Sequence, residues 1–187
     1  MNNLYIATRS IFILFMLMPF LLPAQNKYFT KDKISRDSLL MVSKMIIDSA
    51  RCRVLVSVDE EGKPHAREMD PFAPEEGMII WFATNPNTRK VKQIKNNPNV
   101  AVFYYDTKTL SYVSINGKAQ LINNPAEKEK HWKKYWKVYY PDRNKDMILI
   151  KVIPDRLELV SYKYKLFWQT DSFMPQYIKF NQKNKNK

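Results

Sequence analysis

Thr88-Arg89-Lys90 sets a hydroxyl, a guanidinium and an ammonium in consecutive positions, directly after Thr84-Asn85-Pro86-Asn87. The chemistry open to such a triplet is holding a phosphate. An apolar, β-branched and aromatic run from Gly77 ends at Thr84, Asn-Pro-Asn turns the chain, and a helix is predicted to follow. Unpaired N–H groups and the positive dipole end of a helix favour an anion, and charged donors beside them add charge-assisted hydrogen bonds. The plain alternative is a solvated first helical turn; the preceding strand and turn favour the phosphate site.

Other reactive side chains are few. His65 and His131 are the only histidines and Cys52 the only thiol, in separate predicted elements, which argues against a nucleophilic triad or a zinc site. Cys52, within Arg-Cys-Arg-Val-Leu-Val, reads as a packed strand position. His65 falls on the hairpin near the anion site, and His131 on the exposed face of a later helix. The 3 glycines, Gly62, Gly77 and Gly117, are far apart. This excludes the Rossmann fingerprint and the P-loop, both of which need clustered glycines. A phosphate here must be held by side chains and a helix end.

The elements that position these residues can be read from periodicity. Ile34 to Ala50 carries Leu39, Val42, Met45 and Ile46 at helical spacing. Arg51 to Asp59 alternates, with Val54, Val56 and Val58 on one side, turns at Asp59-Glu60-Glu61-Gly62, and returns over Lys63 to Asp70 as a hairpin. Met78 to Thr84 is a third strand. The helix after it buries Val91 and Ile94 and stops at Asn96-Asn97-Pro98. Asn99 to Asp106 and Thr109 to Ile122 are two more strands, Gly117 marking a bulge. Asn124-Pro125 opens a second helix, with Trp132, Tyr135, Trp136 and Tyr139 on one face and Lys128, Lys130, Lys133, Lys134 and Lys137 on the other. Met147 to Ile153 and Leu157 to Tyr162 read as separate strands around Pro154-Asp155. Many strands, few helices and short connections predict an antiparallel barrel with peripheral helices.

The 187 residues, 45% hydrophobic and 13% aromatic, suit one globular domain. Arg9, the apolar run Ile11 to Leu22 and the small residue of Leu22-Pro23-Ala24-Gln25 predict a cleavable export signal over 1–24 and a periplasmic location. A polar linker over 25–33, the domain over 34–180 and a basic, disordered tail over 181–187 complete the organisation. The net charge of +13 attracts anions. Export argues against nucleic acid as the partner, and the lysine-rich face leaves contact with an anionic membrane surface open.

Arg67 on a strand, Phe-Ala-Thr-Asn, Thr-Arg-Lys, Gln-Ile-Lys-Asn-Asn-Pro-Asn-Val-Ala-Val and Asn-Gly-Lys-Ala follow one another in an order that resembles the pyridoxamine 5′-phosphate oxidase-like FMN-binding split barrels, with the general stress protein branch most similar. The resemblance implies a mainly β (α+β) fold, a six-stranded antiparallel Greek-key split β-barrel with peripheral helices. It also implies a homodimer with FMN in each of two interface clefts. Arg67 matches the strand arginine that contacts the cofactor, Thr84 the threonine closing the next strand, and Thr88, Arg89 and Lys90 the residues that hold the phosphate. In the oxidase proper a lysine soon after the strand arginine also reaches the phosphate; Glu68-Met69-Asp70-Pro71-Phe72 offers none. Its glutamine of the fifth strand is replaced near Tyr112, and its C-terminal substrate residues have no counterparts between Leu157 and Asp171. Trp168 reads as a packed aromatic, the alternative being that it reaches a flavin from the partner subunit. The expectation is an exported flavoprotein oxidoreductase acting on a small redox substrate other than vitamin B6. The alternative is a non-catalytic module for flavin, haem or another anion.

Overall fold

The computed structural model describes residues 29–30, 34–169 and 172–180. The signal expected over 1–24 and the tail over 181–187 lie outside the described residues, as does most of the linker.

Helix α1 (Arg36–Ser49) starts where Ser35 Oγ accepts the Ser38 N–H at 3.2 Å, a side-chain cap for an otherwise orphan donor. It buries Leu39, Val42, Ile46 and Ile47, while Met45, expected on the same face, is 46% exposed. Strands β2 (Cys52–Val58) and β3 (Pro64–Glu68) form the predicted hairpin. Its residues alternate as predicted. Leu55 and Ser57 point into the core, and Val54, Val56 and Val58 are half-buried on the other face. Cys52, expected to be packed, is exposed at the first position of β2.

A 3-10 turn (Glu76–Met78) leads into β4 (Ile80–Thr84), all of whose residues are buried. Helix α2 (Arg89–Asn96) buries Val91, Gln93 and Ile94, and β5 (Asn99–Asp106) and β6 (Ser111–Ile122) follow as an antiparallel pair. Helix α3 (Pro125–Lys130) is capped by Asn124, whose side chain accepts the Glu127 N–H at 3.1 Å. After a second 3-10 turn (Lys134–Val138) and the short α4 (Arg143–Asp146), strand β7 (Ile148–Ser161) crosses the molecule. The two expected strands are therefore one. Pro154 fits inside because β4 pairs with β7 before it and β9 (Gln176–Lys179) pairs with β7 after it. A missing N–H breaks no ladder where the neighbouring strand changes. The register with β6 shifts there, Asp155 being the extra residue opposite Asn116 and Gly117. A Cβ on Gly117 would lie 2.2 Å from the Ile153 carbonyl oxygen, so only glycine fits.

The strands follow the path β3-β2-β5-β6-β7-β4, with β9 added on β7, and curl into an antiparallel half-barrel. β5, β6 and β7 are consecutive neighbours and β4 lies beside β7, a Greek-key arrangement. Separately, β1 (Phe29–Thr30) pairs in parallel with β8 (Trp168–Gln169). The main core, including Ile46, Leu55, Phe82, Tyr104 and Ile115, joins α1 to the sheet. A smaller one gathers Trp81, Trp136, Met147 and Leu149.

The long helix expected after Asn124 does not form. α3 ends at Lys130, because the next residues turn inward: His131 is buried and stacks on Trp81 at 4.1 Å, and Trp136 is buried beside it. Tyr135 and Tyr139 are exposed, and Lys128 is buried with Nζ donating to the Asn144 carbonyl at 2.8 Å. Burial of two large rings outweighs helical propensity in a short segment.

Candidate functional site

β3 places Arg67 one strand away from Ser57, and α2 places Gln93 across from both. Ser57 Oγ donates to Gln93 Oε1 at 2.6 Å. Arg67 donates to Ser57 Oγ at 2.7 Å and to Gln93 Oε1 at 3.1 Å. The guanidinium is thus pinned at the junction of β2, β3 and α2. Burial, and then the nearby Arg89, push its pKa below the usual arginine range.

At the other side of the same junction, Lys90 Nζ donates to Thr84 Oγ1 at 3.0 Å. Burial, and then Arg67, push the Lys90 pKa down. Thr88 is the N-cap of α2, but its hydroxyl caps no backbone amide; it donates instead to the Asn85 carbonyl at 3.0 Å and lies 3.4 Å from Thr84 Oγ1. Among the described residues none of Arg67, Arg89 and Lys90 forms an ion pair. All five residues expected at the site, Arg67, Thr84, Thr88, Arg89 and Lys90, therefore fall at one junction around a helix start. The half-buried Arg67 and Lys90 and the exposed Arg89, like charges without counter-ions among the described residues, form a site that an anion would stabilise.

Two features were not read from the sequence. The first is the Ser57–Gln93 pair beneath Arg67. A polar Ser57 on the inward row of an apolar strand, and Gln93 one helical turn after Arg89, are the signals that pointed to it. The second is an aromatic slot of about 360 Å³ beside Lys90, lined by Glu68, Asp70, Tyr135, Trp136, Tyr139 and Tyr140. Asp70 fastens the aromatic wall: it accepts from Lys133 Nζ at 2.6 Å, from Trp136 Nε1 at 3.0 Å and from the Tyr135 hydroxyl. Glu75, in the same β3–β4 connection, fastens α3. Hydrogen bonds from Lys130 and then Trp81 hold its carboxyl down to about 2 against the opposing effect of burial.

Neither histidine stands free. His65 Nε2 is 2.7 Å from Asp59, at a second cavity of about 320 Å³ that Arg89 and Gln93 also line. His131, expected on an exposed face, is buried, with Nε2 3.2 Å from Glu75 and Nδ1 3.0 Å from the Glu127 carbonyl. Among the described residues no cluster of His, Cys, Asp or Glu could hold a metal ion.

The half-barrel is that of a known family. The chain belongs to the pyridoxamine 5′-phosphate oxidase-like family, whose model matches residues 37–179. It is 28% identical over 120 residues to general stress protein 26 of Bacillus subtilis, covering 62% of this chain and 84% of that protein. The crystal structure of general stress protein 26 from Bacillus anthracis superposes with a TM-score of 0.61 at 25% identity, covering 76% of this chain and 98% of that one. Two more distant structures share the fold. A pyridoxamine 5′-phosphate oxidase-related, FMN binding protein from Nostoc punctiforme has a TM-score of 0.58 at 15% identity, covering 78% of this chain and 96% of that one. A heme binding protein from Mycobacterium smegmatis has a TM-score of 0.55 at 16% identity, covering 68% of this chain and 55% of that one.

Proposed function

We propose that this chain is an exported FMN-binding flavoprotein, an oxidoreductase acting on a small redox substrate. The observation that carries the cofactor is the junction of Arg67, Arg89 and Lys90, three cations with no counter-ion among the described residues, grouped with the Thr84 and Thr88 hydroxyls at the start of α2. A terminal phosphate dianion matches that donor set, and hydrogen bonds to charged groups contribute about 1.5 to 3 kcal/mol each. Lys90 and Thr84 also line the aromatic slot, which supplies the flat, partly apolar surface a fused ring needs. When bound, the flavin supplies hydride transfer, so the protein needs no acid/base constellation of its own. Its residues bind, orient and exclude water: Arg67 is held rigid by Ser57 and Gln93, and the buried side of the slot by Trp136.

Vitamin B6 oxidation is not favoured, because Glu68 to Phe72 brings no second lysine toward the anion site. For haem, an axial ligand needs a free imidazole nitrogen facing a pocket: His131 is buried with both nitrogens engaged, whereas His65 engages only Nε2, with Asp59, and lines the second cavity, so the haem alternative rests on His65 alone. A homodimer is supported by the outer face of the sheet. Val54, Phe103, Tyr105 and Tyr112 lie there half-buried, the Phe103 ring stacked on Tyr105 at 6.4 Å and on Tyr112 at 5.5 Å. Such an apolar row suits a second copy.

Titration of the refolded protein with FMN, followed by the flavin absorption and fluorescence spectra, tests the cofactor. Saturable binding is expected, and its absence would remove the flavin reading. Turnover with a reduced nicotinamide and an acceptor separates an enzyme from a non-catalytic binder. Removal of about 24 residues in an export assay is the expected result for the N-terminal segment.

A further inference from the structure

The structure divides the five lysines expected on one helix face. Lys128 is buried, Lys130 Nζ donates to Glu75 Oε1 at 2.8 Å, and Lys133 Nζ donates to Asp70 Oδ1 at 2.6 Å. Lys134 and Lys137 are exposed and form no ion pair among the described residues. Beside them stand Tyr135, Val138 and Tyr139, which are 60%, 82% and 70% exposed. Val138 is the most exposed large apolar side chain among the described residues. The backbone beneath this patch is fixed. Trp136 is buried with Nε1 donating to Asp70 Oδ2 at 3.0 Å, and its carbonyl accepts the Tyr139 and Tyr140 N–H groups, each at 2.9 Å.

The chain carries no carboxylate between Lys130 and Pro141. In space, Asp70 is engaged by Lys133, Tyr135 and Trp136. Arg53 adds a positive charge close enough to act on the Tyr135 hydroxyl. Glu68, which lines the slot with Tyr135 and Tyr139, is exposed without an ion pair and is outnumbered by Arg53, Lys134 and Lys137. A partner for this patch therefore needs negative charge and an apolar layer together. A second copy meeting it about a two-fold axis would set lysine against lysine. A nucleic acid answers the lysines and leaves Val138 in water. An anionic bilayer surface answers both, with headgroup phosphates at the lysines and the tyrosine and valine side chains at the boundary of the acyl chains. We propose that the segment 134–139 docks this protein on the surface of an anionic lipid bilayer.

A nitroxide at position 138 reads docking locally, independent of the N-terminal segment. Val138→Cys is labelled in the full chain carrying Cys52→Ser, and its depth is measured by EPR from the accessibility of the label to oxygen and to a water-soluble nickel chelate. On vesicles of phosphatidylglycerol and phosphatidylcholine in equal parts the label should lie below the headgroups, and on phosphatidylcholine alone it should stay in water. Lys134→Gln together with Lys137→Gln should lower the ratio of docked to undocked label about 25-fold, about fivefold for each lysine near an anionic surface. A label that stays in water on the anionic vesicles, or docks equally on both kinds, would overturn the proposal. So would dipolar broadening between labels without lipid, which would give the face to a second copy. Immobilisation by a single-stranded oligonucleotide with no insertion into lipid would overturn it in favour of nucleic acid.

Discussion

Burial and then Arg67 push the Lys90 pKa down, burial and then Arg89 push the Arg67 pKa down, and neither cation forms an ion pair among the described residues. Grouping these like charges therefore lowers the stability of the ligand-free fold. Replacing Lys90 by Gln removes a partly buried like charge and keeps a donor toward Thr84. The ligand-free protein should then melt about 2 °C higher, the scale of a few tenths to one kcal/mol in a domain this size. FMN should bind at least tenfold more weakly, about 1.4 kcal/mol. Calorimetry with and without FMN measures both, and a variant that melts lower and binds normally would remove Lys90 from the site. The Ser57–Gln93 pair gives a second test. Gln93→Leu deletes an acceptor shared by Ser57 and Arg67 and leaves buried donors unpaired, a cost of about 1 to 3 kcal/mol. Urea unfolding reads that loss. Thr88, Arg89 and Lys90 were legible in the sequence because a strand, a turn and a helix start put donors at fixed spacing, and Arg67 only through the family resemblance. Ser57 and Gln93 were not, since their meeting depends on how α2 packs across the β2–β3 hairpin.

At the scale of elements, the bulge facing Gly117 lets β7 pass from β4 to β9 without interrupting its pairing to β6. Gly117→Ala puts a Cβ against backbone, 2.2 Å from the Ile153 oxygen, where no side chain can yield. A loss of about 1 to 3 kcal/mol is expected from such overpacking, read from the urea midpoint. The β3–β4 connection carries the other device, Asp70 and Glu75 holding the segment from Lys130 to Trp136 by hydrogen bonds. The Glu75 carboxyl falls from 4.5 to about 2 in the fold. A depressed carboxyl contributes stability that is fully present above its unfolded value and is lost as pH falls through the folded one. The difference in stability between the natural chain and Glu75→Gln should therefore be constant above pH 4.5 and shrink between there and about pH 2. A difference independent of pH across that window would show that the carboxylate is not the clasp. Strands with alternating burial were readable, and so were caps such as Asn124-Pro125. The segment after Lys130 was misread because Trp132 and Trp136 have the i, i+4 spacing of a helix, yet the rings turn inward to Trp81 and Phe72. Pro154 was misread as a break because a proline in a strand is permitted only where a neighbouring strand is missing, a fact of tertiary pairing.

For the whole molecule, the half-barrel sets the anion junction at the start of α2 and the aromatic slot beside it, with the apolar rows of β2 and β5 on the outer sheet face. The orientation of β2 belongs to this scale: its valines line the outer face, and Leu55 and Ser57 fill the interior. A strand sequence alone does not tell which of its two faces the rest of the chain covers. Val56→Glu should shift the sedimentation of a dimer toward the monomer and leave the monomer folded, because Val56 is only half-buried. An unchanged sedimentation coefficient would place any partner elsewhere. The central claim is that the cation junction holds the phosphate of FMN, and fluorescence titration of FMN into the natural chain and the Arg89→Ala, Lys90→Ala double variant tests it most directly. Saturable binding that weakens at least tenfold in the variant is the predicted result, and equal affinity in both, or no binding to the natural chain, would contradict it.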